Sequence, residues 1–204
     1  GGMVTAKLDT TWSRSGVSPR RTKPVVAVNE YDAKAMRTSG ENTHLMPGDP
    51  FSEGLTVTVG AEEALRDCDM LLMVVPSQTM RSNIRSLKPY RGVMRDEAIN
   101  ISAAKGLELG TLQRMTEVLG EELGPDWTSR LGALSGPNLA KEIVASNPAT
   151  TVIGAGHPAT AQRPPELLTG RPYRARTTPA VNGVATEAAP KNLITEAARM
   201  ADAI

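Results

Sequence analysis

The chain has a single cysteine in 204 residues. Cys68 therefore has no partner for an internal disulfide and no companions for a thiolate zinc site, and a lone thiol suits a reducing cytosol. Only two histidines are present, His44 and His157. Both stand beside turn residues and read as surface positions, and neither is near enough to Cys68 in the sequence to make it a nucleophile. Cys68 reads instead as a small packed side chain. No apolar run approaches the roughly 20 residues of a membrane span, and the N-terminal residues lack the apolar core of a signal peptide. An excess of one charge is also missing: 23 Lys and Arg against 22 Asp and Glu leave a net charge of +1, which implies neither a nucleic-acid footprint nor an acidic tail. Basic residues do gather at Arg14, Arg20, Arg21 and Lys23, and again at Arg163, Arg171, Arg174 and Arg176. They are scattered among Pro, Thr and Ser and read as solvated surface. No internal repeat or low-complexity segment occurs.

The pattern that is present is a short apolar strand, a turn of small residues, then a helix. With 40% hydrophobic residues, the chain is long enough for one domain with a sizeable core. Ile101 to Glu108, ISAAKGLE, stops an apolar run on small residues and follows it with a lysine. At the carboxyl end of a strand in an open α/β sheet, small residues let a ligand approach the backbone, and a lysine just beyond directs its charge into the crevice. Lys105 is thus a candidate functional residue. Leu131 to Glu142 has the same plan: apolar to Leu134, a turn at Ser135, Gly136, Pro137 and Asn138, then helical from Leu139. Its backbone N–H groups would face a ligand at a helix start. Two such turns 30 residues apart predict neighbouring strands of one sheet.

Along the chain, strands are expected at Val25 to Val28, Leu55 to Val59, Met70 to Val75, Ile99 to Ala104, Thr150 to Ala155 and, at an edge, Tyr173 to Thr178. Helices are expected at Ala61 to Asp67, at Gln78 to Leu87 with Ser77 as its cap, at Leu112 to Leu123 until Gly124 and Pro125 stop it, and at Leu139 to Ala145. The helix over Ala159 to Leu168 should start at Pro165 or break there. Ser13 to Pro24 reads as loop. Lys191 to Ile204 carries a helical apolar stripe of Ile194, Ala197, Ala198, Ala201 and Ile204. The fold class is α/β, a Rossmann-like, mostly parallel sheet with helices on both faces.

KGLE at Lys105 to Glu108, LSGPNLAKE at Leu134 to Glu142, VPSQ at Val75 to Gln78, EN and PG within Glu41 to Gly48, and KN at Lys191 and Asn192 occur in one order. In that order they resemble NAD(P)-dependent glycerol-3-phosphate dehydrogenase. The likeness is strong from about Glu41 to Gly156. It implies hydride transfer between NAD(P)H and dihydroxyacetone phosphate or glycerol 3-phosphate, a small-molecule substrate, and a cytoplasmic enzyme. By resemblance, Lys191 is the proton donor, Lys105 contacts cofactor and substrate, Gly136 and Asn138 border the substrate, and Ala140 lies beside the cofactor. Thr11 and Trp12 fall in the cofactor loop, and Glu30 stands where a ribose-binding carboxylate is expected in an NAD enzyme. An exposed turn carboxylate is the other reading of Glu30.

The chain also departs from the pattern it resembles. With Trp12 aligned, the three glycine positions of the loop fall on Leu8, Thr10 and Ser13, whose side chains would obstruct the cofactor. Around Lys191 a glycine pair is replaced by Glu187 and Ala188, and Pro190 forces Ala189 away from helical geometry. The expected organisation is a Rossmann-like domain over residues 1–178 and the opening of a helical substrate domain over 179–204, truncated here, so that turnover is slow or absent. Two other readings remain: a non-catalytic binding or assembly module, dimeric through its last helix, and a reductase of the same superfamily acting on a ketoacid.

Overall fold

The computed structural model describes residues 23–27, 30–44, 47–51, 55–136, 148–168 and 173–187. Apolar runs without alternation form the central strands because both of their faces are covered. In β3 (Met70–Met73), Leu71 and Met73 enter one core while Leu72 enters another on the opposite face. β4 (Ile99–Ser102) and β5 (Leu131–Ser135) are buried along their whole length. β6 (Ala149–Ala155) and β7 (Tyr173–Thr178) complete a five-stranded sheet in the order β3-β4-β5-β6-β7. All its pairings are parallel except β5 with β6, which is antiparallel.

A second, two-stranded parallel sheet pairs β1 (Lys23–Val26) with β2 (Leu55–Thr58). In the doubly wound order 3-2-1-4-5-6, β2 and β1 take places 3 and 2, and β3, β4 and β5 take places 4, 5 and 6. Place 1 falls between β1 and β3. The N-terminal residues that the sequence would assign to it lie outside the described residues. Val26 packs against the large core beneath β3, so the two sheets share apolar contacts. The mostly parallel α/β reading holds, as does the adjacency of the Ile101 and Leu131 strands.

Helices cover the sheet through their apolar stripes. α3 (Met80–Leu87) buries Met80, Ile84 and Leu87 at helical spacing, each worth about 1.5–3 kcal/mol of burial. α4 (Met115–Leu123) buries Met115, Val118, Leu119 and Leu123 against the same core and ends at Gly124, whose φ of +95° closes the helix as expected. α2 (Ala61–Leu65) contributes Leu65. Cys68 packs against this core with its thiol donating to the Met70 carbonyl, and burial pushes its pKa up to about 11. His44 and His157 are exposed.

Several expectations need correction. Leu112 is not in the buried stripe: it is 70% exposed with φ +57°, in a turn that precedes α4. Glu117 fixes the true start, its carboxylate accepting from the Arg114 backbone N–H at 2.8 Å. Ser77 is not a helix cap. Ser77–Thr79 forms a 3₁₀ turn ahead of Met80, closed by the Thr79 N–H on the Pro76 carbonyl. Lys23 and Pro24 belong to β1 rather than a loop, Lys23 level with Leu55 and Pro24 with Thr56 of β2. α1 (Glu30–Ser39), which packs Ala33 and Met36 onto β2's Val57, has no counterpart in the expected elements. α5 (Pro158–Leu168) runs through Pro164 and Pro165 without a break. Thr160 anchors it by donating to the Ser129 carbonyl at 2.6 Å, and Pro164 is fully buried. α6 (Val181–Glu187) is likewise unexpected and lies on β5 and β6.

Candidate active site

Three quoted motifs end up side by side. Met73 of β3 is level with Ser102 of β4, and Ser102 is level with Ala133 of β5. VPSQ, KGLE and the Ser135–Gly136 turn therefore leave the carboxyl ends of three consecutive parallel strands, spaced about 4.8 Å apart. Lys105 lies three residues past the end of β4 at Ser102, and Gly136 directly follows the end of β5 at Ser135. This is the edge where open α/β sheets bind ligands.

The loop that carries Lys105 is held at both ends. Upstream, the Ala103 N–H donates to the Met73 carbonyl at 2.9 Å, extending the ladder one step past the strand. Downstream, Gln78 brackets the chain: its Nε2 donates to the Leu107 carbonyl at 2.8 Å and its Oε1 accepts from the Leu109 N–H at 2.9 Å. Gly106 adopts φ +115° between these anchors, and a Cβ there would lie 3.1 Å from Ser77 Oγ. Glycine is thus required in KGLE both by backbone conformation and by the closeness of the VPSQ turn.

Beside it, Arg81 makes a two-toothed contact with Glu108, Nε to Oε1 and Nη2 to Oε2, both at 2.8 Å. The same guanidinium donates to Gln113 at 2.9 Å and to Glu122 at 2.5 Å, and Arg85 adds a second ion pair to Glu122. Thr111 donates to Glu108 at 2.6 Å. The Arg81 and Thr111 donors hold the Glu108 carboxyl down to about 2, while Glu108, Glu121 and Glu122, all accepting from Arg81, raise its own pKa. Glu108 therefore fastens the loop to α3 and α4 and is not available as an acid or base. Lys105 is half-buried and has no ion pair among the described residues, so its ammonium keeps its capacity for a ligand.

Glu30 sits in the first turn of α1, exposed and ion-paired with Arg37. Thr11, Trp12, Asn138, Ala140 and Lys191 lie outside the described residues. A cavity of about 710 Å³ opens at the opposite edge, by the start of β5, lined by Thr116, Glu117, Gly156, His157 and Val181. It includes neither Lys105 nor Gly136. Among the described residues no cluster of His, Cys, Asp and Glu could hold a metal ion, and no helix is long and apolar enough to cross a membrane.

A family model described as NAD-dependent glycerol-3-phosphate dehydrogenase N-terminus matches residues 17–161. The chain belongs to this family. A glycerol-3-phosphate dehydrogenase [NAD(P)+] of Dehalococcoides mccartyi (strain ATCC BAA-2266 / KCTC 15142 / 195) is 39% identical over 179 residues, 87% of this chain and 49% of that protein. Another from Corynebacterium glutamicum (strain R) is 42% identical over 127 residues, 62% of this chain and 37% of that protein. The chain spans about half the length of the curated relatives it matches. Among solved structures, the glycerol-3-phosphate dehydrogenase of Coxiella burnetii aligns with a TM-score of 0.70 at 24% identity, over 79% of this chain and 48% of that one. This likeness supports the Rossmann-type fold. Within this glycerol-3-phosphate dehydrogenase framework, Gln78 and Arg81 are the residues the sequence did not single out. The signal was present in VPSQ and in the three-residue spacing that places both on one side of the turn and helix leaving β3.

Proposed function

We propose that the chain supplies the nucleotide side of a glycerol-3-phosphate dehydrogenase, catalysing hydride transfer between NAD(P)H and dihydroxyacetone phosphate or glycerol 3-phosphate. The observation that carries this reading is the set of VPSQ, KGLE and Ser135–Gly136 at neighbouring strand ends, with the Lys105 ammonium unpaired among the described residues. A bound NADH or NADPH supplies the hydride. Lys105 attracts the negative charge of the dinucleotide and the phosphorylated ketone. Gly136, with no side chain, and Asn138 border the ketone, Ala140 lies by the dinucleotide, and Thr11, Trp12 and Glu30 complete the cofactor side. Lys191 gives its proton to the ketone oxygen, which requires a lysine brought toward neutral pH by its surroundings. Because Leu8, Thr10 and Ser13 replace glycines, dinucleotide binding is weak and turnover by this chain alone is slow.

The α/β unit spans residues 1–178, and 179–204 opens a helical substrate domain with α6 as the helix resting on β5 and β6. Pairing of the apolar stripe from Ile194 to Ile204 makes a homodimer, and the lone Cys68 suits a reducing cytoplasm. A thermal-shift comparison tests the reading. Dihydroxyacetone phosphate with NADH should raise Tm more than pyruvate with NADH, because ligand binding to the folded state stabilises by mass action. A larger rise with pyruvate would favour a ketoacid reductase instead.

A further inference from the structure

We infer that Gln78 is the positioning residue for Lys105, an inference that rests on the crevice proposed above. Lys105 has a flexible stem and gains a fixed place only if its backbone is fixed. The upstream anchor, Ala103 on Met73, is an ordinary continuation of the strand ladder. The downstream anchor belongs to a side chain 27 residues away. Gln78 presents its NH₂ to a carbonyl and its oxygen to an N–H two residues further on, at 2.8 and 2.9 Å. A primary amide matches that alternating pair as a short strand would. Its orientation is unique, since the reversed amide would place donor against donor and acceptor against acceptor.

Gln78 lies on the 3₁₀ turn leaving β3, so the bracket ties the carboxyl end of β3 to the loop leaving β4. Gly106, at φ +115°, lies close to the same turn: a Cβ added there would stand 3.1 Å from Ser77 Oγ. Arg81, three residues on, fastens Glu108 from the same side. The backbone from Gly106 to Leu109 is therefore braced against α3 and its preceding turn, and Lys105 projects from the end of a braced segment. Glutamine in VPSQ thus acts on the reaction through Lys105.

The test combines a ligand-free spectroscopic signature with a binding cycle. In protein whose lysines carry ¹³C-dimethyl groups, which keep their charge, the Lys105 resonance is assigned by its loss in Lys105→Arg. In Gln78→Ala it should move to the shared position of freely solvated lysines. Gln78→Met, nearly the same size and without the two hydrogen bonds, should give the same shift if the alanine variant folds poorly. By calorimetry with NADH, Lys105→Ala and Gln78→Ala should each weaken binding by about tenfold. The double variant should bind no more weakly than Lys105→Ala alone. A Lys105 resonance unmoved by both Gln78 substitutions, or penalties that multiply, would overturn the inference while leaving the proposed function standing. If the unsubstituted protein fails to bind NADH, the proposed function falls, and the resonance still decides whether Gln78 positions Lys105.

Discussion

Asn100 is completely buried on β4, and neither atom of its side-chain amide has a hydrogen-bond partner among the described residues. It borders a cavity of about 10 Å³ whose other lining includes Leu71, Ile84, Leu123 and Trp127. Burying an unsatisfied amide costs about 1–3 kcal/mol, so Asn100→Val should raise unfolding stability by about 1–2 kcal/mol in urea denaturation. A lower stability would mean that the amide is satisfied in solution. At this scale the strand-end position of Lys105 was legible in the sequence, and the support of its loop was not. A lysine after Ile-Ser-Ala-Ala can only lie at a strand end, which local pattern reveals. Gln78 acts through the Leu107 carbonyl and the Leu109 N–H, groups every residue carries, so nothing in the composition of KGLE points back to it. Glu30 was conspicuous as a carboxylate after an apolar run, but its ion pair with Arg37 depends on a helix that was not foreseen.

Two elements depend on contacts that single substitutions would break. α6 approaches β6 so closely that a Cβ on Gly154 would meet Val181 Cα at 2.7 Å and Val184 Cβ at 3.0 Å. Because one of these atoms is backbone, Gly154→Ala should push α6 off the sheet and cost about 1–3 kcal/mol. Urea denaturation and amide exchange confined to residues 181–187 would detect it. The loop from Glu108 to Gln113 depends on charge. Glu108 titrates at about 2, down from the ordinary 4.5, so its ionised form favours the folded state. That stability is fully present above about pH 4.5 and is lost as pH falls toward 2. Glu117 and Glu122 are shifted in the same direction by Arg114, Arg85 and Arg81, which steepens the fall. Glu108→Gln should lower stability at pH 7 and flatten its dependence between pH 4.5 and 2, as read from acid-denaturation curves. An unchanged slope would show that the Arg81 network is not linked to folding.

The central strands β3, β4 and β5 were recognisable because, Asn100 apart, every residue there is apolar or small. Helices were recognisable where the stripe is strong, as in α3 with Met80, Ile84 and Leu87. The misses have local causes. α5 carries two prolines, and its continuity relies on burial of Pro164 and on Thr160 bonding to Ser129 across 31 residues. α6 is held by its fit against Gly154, a long-range contact with no periodic signature. Leu112 matched the helical spacing of α4 but takes a left-handed conformation in a turn where its N–H donates to the Glu108 carbonyl at 2.9 Å.

For the whole molecule, the two sheets among the described residues, β1-β2 and β3-β4-β5-β6-β7, are consistent with a doubly wound order as far as β5, and the family assignment agrees with it. The order follows from parallel pairing and from the crossover helices between strands, which the alternation of apolar runs and helical stripes already implied. The antiparallel β6 could not be foreseen, because no residue type marks the direction in which a buried strand enters. The central claim is that the carboxyl ends of β3, β4 and β5 form the crevice in which Lys105 meets a dinucleotide. Calorimetric titration of NADH into the unsubstituted chain and into Lys105→Ala tests it most directly. Saturable binding at one site per chain, weakened about tenfold by the substitution, is the predicted result. Binding of equal strength in both proteins, or no heat of binding in either, would contradict it.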